Sequence, residues 1–345
     1  MTKPQPFLNY MPWHVKQKIA DNVDTKTKLS LRLCSKEYKK YVDSAKTIYS
    51  SLIFQWIRTA RGKQFVNVHL IPTGVSRGPR LEFFPKGDGY RKRNEKAKWE
   101  KVVEGEGDYI EGALARLMKT ISNPRCIVQS LELEPPNASM VRKRSVVEKI
   151  NETNRDFLRK LDEHLSTLNH KLKVNEITMK FDGQQDDVEQ VLRHLEPGTL
   201  KNISLIRPSC LYWGSPERLV LDRIAETEHW KQAEDLHISF YKIELPVHQW
   251  SHFRKTTLGF ETMSLELLQE IIEAMKRSPK WQICFIICPS LNLPEFQRYI
   301  QQFPMHQPVL PSYERRLLAT LDTEQHLHIH LSSTRTAIMK SSIYD

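Results

Sequence analysis

The apolar positions of the first fifty residues fall into three short amphipathic stretches. Val15, Ile19 and Val23 recur four apart behind Pro12, which suits the first turn of a helix because its missing N–H costs nothing there. Asp24 and Thr25 are cap-type residues ahead of Leu29, Leu31 and Leu33, which predict a second helix. Ser35 offers another N-cap for a third, carrying Tyr38, Tyr41, Val42 and Ala45. Helices this short bury little area, and a unit of about forty residues is marginal alone. Such a module leans on a partner. Residues 51–56 read as further helix, whereas 65–70 alternate as a half-buried strand does, and 81–84 and 99–103 add two strands between Gly-, Pro- and charge-rich loops. A small antiparallel sheet is predicted. Tyr109, Ile110, Ala113, Leu114, Leu117, Met118 and Ile121 then trace a helical face stopped by Asn123 and Pro124.

From residue 128 one pattern recurs: apolar, two others, apolar, one other, apolar. It stands at 128–133, 174–179, 200–205 and 233–238, with helical patterns at 147–168, 186–195, 217–228 and 264–276 between. One strand and one helix per unit is the logic of a leucine-rich-repeat-like β/α solenoid, here irregular in unit length and without an asparagine ladder. The run 283–288 reads as a buried strand. His326, His328 and His330 alternate with Leu327, Ile329 and Leu331. Neighbours two apart on a strand point in parallel rather than converge on one ion, so the reading is a terminal strand with solvent-facing histidines and no metal site. His237 and His252 are read as packed or satisfied polar residues.

Composition narrows the classes. The chain has 345 residues, 39% hydrophobic and 27% charged, enough for two domains and an ordinary core. No apolar run approaches a membrane span and the first residues lack a signal-peptide core, so the expectation is an intracellular protein, cytoplasmic or nuclear. Five scattered cysteines among apolar neighbours are expected to be reduced core thiols. The net charge of +11 is densest at Arg91, Lys92, Arg93, Lys96 and Lys98. With only Tyr90 and Trp99 nearby to stack on bases, that run reads as a solvated basic loop, and nucleic-acid binding is disfavoured. No phosphate-binding loop, nucleophile elbow or His-Glu-x-x-His motif occurs, so no catalytic residue and no cofactor is expected.

Leu8, Met11, Pro12, Val15, Ile19, Asp24, Leu29, Leu31, Arg32, Cys34, Lys36 and Tyr38, in that order, resemble the F-box, the adaptor-binding motif of SCF-type cullin–RING ubiquitin ligases. The match covers roughly 7–48. It departs at Met11, where leucine is usual, at Trp13, where an acid is common, and at Tyr38, where many members have tryptophan. Residues of roughly 145–305 resemble the FTH domain that follows the F-box in a large nematode family. The stretches that carry this are 195–205, 228–236, His252-Phe253, and the helix from 263 to 279 before Trp281.

Apolar pattern and resemblance together predict a fold of the α+β and α/β classes with an F-box at 1–50. A small sheet with a helix follows at 51–125, then an FTH domain of leucine-rich-repeat-like build at 126–310, and a terminal helix, strand and tail at 311–345. The resemblance implies a non-catalytic substrate receptor that binds a Skp-type adaptor, and through it a cullin, by way of Leu8, Met11, Pro12, Val15, Ile19, Leu31 and Cys34. The FTH domain would recruit an unknown target protein. Two other readings compete: a protein-interaction scaffold whose first helices merely cap a solenoid, and a basic nucleic-acid binder.

Overall fold

The computed structural model describes residues 11–23, 25–34, 36–58, 64–74, 78–94, 103–134, 144–181, 183–207, 218–239, 242–260, 263–287, 298, 315–320, 325–331 and 335–342. The chain divides into two compact units, one of residues 1–132 with 160–174 and the other of 133–159 with 175–345.

The first unit begins with helices α1 (Trp13–Asn22), α2 (Thr25–Cys34) and α3 (Lys36–Ser44), followed by strands β1 (Thr47–Arg58), β2 (Gln64–Pro72), β3 (Arg80–Lys86), β4 (Gly89–Asn94) and β5 (Val103–Glu106). Helix α4 (Tyr109–Ile121) and strand β6 (Cys126–Glu134) follow, and the strand order is β6-β1-β2-β3-β4-β5. The expected helix at 51–56 is strand. Leu52, Phe54 and Trp56 are buried and pair across to Leu70, Val68 and Val66. The reason lies in the period: buried positions two apart, filled by aliphatic and aromatic side chains, fit a pleat and cannot share one helical face.

Of the basic run, Arg91, Lys92 and Arg93 are likewise strand rather than loop, because the turn Gly87-Asp88 folds β4 back on β3, Lys86 facing Gly89 and Phe83 facing Lys92. Gly87 takes a φ of 53°, which suits its lack of a side chain. Helix α4 is capped by Asp108, whose carboxylate accepts from the Ile110 N–H at 3.2 Å. It buries Ile110, Ala113, Leu114, Leu117, Met118 and Ile121. The Tyr90 ring lies so close to α4 and β5 that a Cβ on Gly112 or Gly105 would sit 2.5 or 2.3 Å from ring carbon.

Helix α5 (Arg144–Ser166) contributes residues to both units. Beyond it the chain continues through β7 (Lys173–Lys180), α6 (Gln185–Leu192), β8 (Asn202–Ile206), β9 (Arg218–Leu219), α7 (Asp222–Ala225), α8 (Glu228–Gln232), β10 (Asp235–Ser239) and β11 (Lys242–Ile243). A 3-10 turn at Val247–Gln249 precedes β12 (Lys255–Gly259), α9 (Leu265–Arg277) and β13 (Ile283–Ile287). Strands β14 (Arg315–Thr320), β15 (Gln325–Leu331) and β16 (Arg335–Ser342) follow.

Strand order here is β14-β15-β16-β13-β12-β10-β8-β7. Strands β7, β8, β10, β12 and β13 run parallel, in a register that aligns Ile177, Ile203, Leu236, Thr256 and Cys284. The pattern read at three of these strands therefore has two further copies. Phe253, Thr256 and Leu258 form one; Trp281, Cys284 and Ile286 form the other, and all six side chains are buried. Thr256 had hidden its copy. A hydroxyl is tolerated at that buried position because it accepts from the Trp281 indole N–H at 3.2 Å.

Two expectations fail in this unit. The helix expected at 217–228 is reduced to α7, its earlier part being strand β9, and Thr227 caps a separate α8, accepting from the Trp230 N–H at 3.3 Å. The terminal strand expected around Leu327, Ile329 and Leu331 is β15, but in place of a terminal helix the described residues beyond 311 add two more strands, β13 being extended by β16, β15 and β14, all antiparallel. Their alternating sequence, as in Leu327, Ile329 and Leu331, has the period of strand. The histidines His326, His328 and His330 occupy alternate positions of β15, and their side chains lie outside the described residues.

Candidate functional site

Pro12 stands at the N-cap of α1 rather than in its first turn, its carbonyl accepting the N–H groups of Val15 at 3.0 Å and Lys16 at 3.2 Å. Ala20 is buried and so is most of Lys16, whose ammonium lies 5.7 Å from the centre of the Tyr41 ring. Met11, Val15, Ile19 and Leu31 are half-buried and Pro12 is exposed, while Leu8 and the Cys34 side chain lie outside the described residues. Two apolar side chains of these helices outside the candidate set are far more open than its half-buried members: Trp13 at 69% exposure and Leu33 at 88%. Spacing could have found Leu33. Leu29, Leu31 and Leu33 are two apart, so on a helix of 3.6 residues per turn they cannot all face inward.

A turn of the same unit holds these helices in place. Asp21 of α1 accepts from the Lys46 N–H at 2.9 Å, from Gln17 at 3.2 Å and from the Arg125 guanidinium at 2.5 Å. Burial alone would raise its pKa, yet the Lys46 and Arg125 hydrogen bonds outweigh burial and hold the carboxyl below its ordinary value. The Asn123 amide donates to the carbonyls of Asp43 at 3.2 Å and Ala45 at 2.9 Å. The segment Asn123 to Arg125 thus fastens the end of α3 and the last turn of α1.

Of the basic run, Arg91 and Lys92 lie on β4, Arg93 is there by its backbone, and Lys96 and Lys98 lie outside the described residues. Arg91 pairs with Glu104 at 3.3 Å, and Glu104 also binds Lys86. The Lys86 hydrogen bond is the first cause holding the Glu104 carboxyl below its ordinary value. Lys92 is half-buried and its ammonium pKa is depressed, first by burial and then by Arg116 and Lys119. Strand β4 is therefore continuous with the cations of α4.

In the second unit a groove of about 910 Å³ runs along the residues that precede the parallel strands, lined among others by Lys201, Glu234, His252, Arg254 and Lys280. The Lys201 carbonyl accepts the N–H groups of Glu234 at 2.7 Å and Asp235 at 3.0 Å, and the Arg254 carbonyl accepts that of Gln282 at 2.8 Å. The ladder so continues one residue before each strand, spacing these side chains along the rim. Lys201 pairs with Glu234 at 2.8 Å and Arg254 with Asp235 at 2.9 Å. His252 shares a hydrogen with the Trp230 carbonyl at 2.9 Å; burial, chiefly, pushes its pKa down. His237 is met by the Ser239 hydroxyl at 2.5 Å. Both histidines are hydrogen-bonded within the fold.

Comparison with known families places an F-box domain at residues 8–48 and an FTH domain at residues 155–303. No curated protein and no solved structure matches the chain. F-box domains bind Skp-type adaptors, and proteins that carry them are typically non-catalytic substrate receptors of ubiquitin ligases. The two domains together support ubiquitin-ligase substrate receptor and protein–protein interaction as descriptions of this chain. Among the described residues no helix is long and apolar enough to cross a membrane.

Proposed function

We propose that the chain is the substrate-recognition subunit of an SCF-type cullin–RING ubiquitin ligase, acting inside the cell in cytoplasm or nucleus. The F-box helices dock on the Skp-type adaptor and through it on a cullin. The FTH domain, built as an irregular leucine-rich-repeat-like β/α solenoid, recruits a target protein. The observation that carries this reading is the succession of the two domains in one chain, F-box at 8–48 and FTH at 155–303. The open Trp13 and Leu33, with half-buried Met11, Val15, Ile19 and Leu31, supply the apolar surface such docking needs. The chemistry belongs to other subunits, and this one contributes effective concentration and orientation.

The test is co-purification of the full-length chain with the Skp-type adaptor, beside the variant Met11→Asp/Pro12→Asp checked by circular dichroism. A one-to-one complex, lost in a folded variant, is expected; truncating a buried anchor of this kind typically costs about 2 kcal/mol or more. Absence of a complex with the wild-type chain would reduce the first helices to a cap and favour the scaffold reading.

A further inference from the structure

A second groove, of about 860 Å³, lies wholly in the first unit, between α2 and α3 on one side and α4 with the turn after it on the other. Its walls carry Lys28, Lys40, Arg116, Lys119 and Arg125 against one lining carboxylate, Asp43. Of these cations, Arg125 is neutralised by Asp21 at 2.5 Å and Lys28 is held by the Lys46 carbonyl at 2.7 Å. Among the described residues Lys40, Arg116 and Lys119 have no carboxylate partner, and the Arg116 Nε–H is buried without a hydrogen-bond acceptor. Lys92 extends the same field from β4.

Cations gathered in a concave site repel one another, and an anion seated among them removes the repulsion and satisfies the orphaned guanidinium. The volume is that of a site for a small ligand or a short peptide segment. Tyr49 is the one aromatic residue in the lining, and it is half-buried. Binding single-stranded nucleic acid calls for successive stacking platforms, which this lining lacks.

We infer that this groove binds an acidic polypeptide segment, its carboxylates or phosphoryl groups seated among Lys40, Arg116 and Lys119. The occupant is bound by the chain whether or not it has joined an adaptor, so the inference goes beyond the receptor reading. The adaptor-docking candidates Met11, Pro12, Val15, Ile19 and Leu31 are absent from the lining.

The test is fluorescence anisotropy on the full-length chain with a short fluorescein-labelled Glu/Ser peptide, plain and phosphorylated, and with a labelled single-stranded RNA. Lys40→Glu/Lys119→Glu, both at exposed positions, is expected to weaken peptide binding by about tenfold or more. The charge-matched control Lys231→Glu/Lys280→Glu, on the other groove, should stay within about twofold of wild type. Tighter binding of the phosphorylated peptide would identify phosphoryl groups as the preferred anion, and equal binding carboxylates; either upholds the groove. Equal loss in both variants, RNA binding tighter than either peptide, or displacement of the peptide by the adaptor would overturn it. Adaptor co-purification at wild-type yield in Lys40→Glu/Lys119→Glu is the expected companion result, and it keeps a failure here separate from a failure of the receptor reading.

Discussion

Asp21 ties its own helix to two distant pieces of chain through hydrogen bonds from Lys46 and Arg125, besides one from Gln17 a turn earlier, so its charge state is a stability variable. Its pKa in the fold is lowered, which means the unfolded chain takes up the proton first on acidification. The stabilisation is therefore complete above the unfolded value of about 4 and is lost as pH falls through the folded one. Asp21→Asn should cost about 1–2 kcal/mol near neutrality, and thermal melts at stepwise lower pH should show the gap to wild type closing in acid. A gap that stays constant with pH would show that packing, not charge, is what Asp21 supplies. Gly112 makes a different demand, for space. A Cβ there would meet the Tyr90 ring at 2.5 Å, so Gly112→Ala is expected to destabilise by about 1–3 kcal/mol. Tyr90→Ala should absorb most of that cost in the double variant, which a denaturation-based mutant cycle reads directly. Neither residue stood out in the sequence: the partners that tie Asp21 to other segments, Lys46 and Arg125, are 25 and 104 positions away, and no local pattern encodes such contacts.

Elements were legible wherever burial had a regular period. The three N-terminal helices, the strands at 65–70 and 81–84, helix α4 and most strands of the parallel ladder follow from apolar spacing. Misreadings arose where a polar residue holds a core position or where short runs of apolar residues fit two periods. Thr256 concealed β12, residues 51–56 fitted helix and strand alike, and Thr227 cut a helix that apolar spacing alone would continue. The ladder also gives a role to the tryptophans and histidines in and beside the stretches that resemble the FTH domain. Trp230 packs edge-on against Phe253 at 5.1 Å and Trp250 against Trp281 at 5.1 Å, while His229 shares a hydrogen with the Leu195 carbonyl at 3.0 Å. These side chains fill and satisfy the interior between strands. Trp281→Ala should then cost about 3–5 kcal/mol through the cavity it leaves. Thr256→Val should cost under about 1 kcal/mol, because the Trp281 indole N–H keeps the Ile283 carbonyl at 3.2 Å. Urea titrations of the two variants separate packing from hydrogen bonding, and equal losses would contradict this assignment.

At the scale of the whole molecule the compact units do not follow the order of the chain. The sequence suggested a boundary near residue 125, yet the first unit takes in residues 160–174 from beyond it. The contacts that tie this segment in are specific. Leu161 and Leu165 are buried, Lys160 pairs with Asp108 at 2.7 Å, His164 meets Glu111 at 2.8 Å, and His170 reaches the Ile121 carbonyl at 3.3 Å. Lys160 and His164 thus hold the N-terminal turn of α4, the helix that also lines the basic groove. A fragment of residues 1–132 keeps the first sheet, save the last two residues of β6, but loses these partners; one of residues 1–174 keeps both. Burying two leucines contributes about 3–6 kcal/mol, and the partly buried ion pairs add less. The shorter fragment should therefore melt about ten degrees or more below the longer one, or fail to melt cooperatively at all. If instead the two fragments melt together, residues 160–174 are a passenger on the first unit. Acidic-peptide anisotropy on the same pair extends the argument to function, because a groove walled by α4 should bind less tightly once the start of that helix is released.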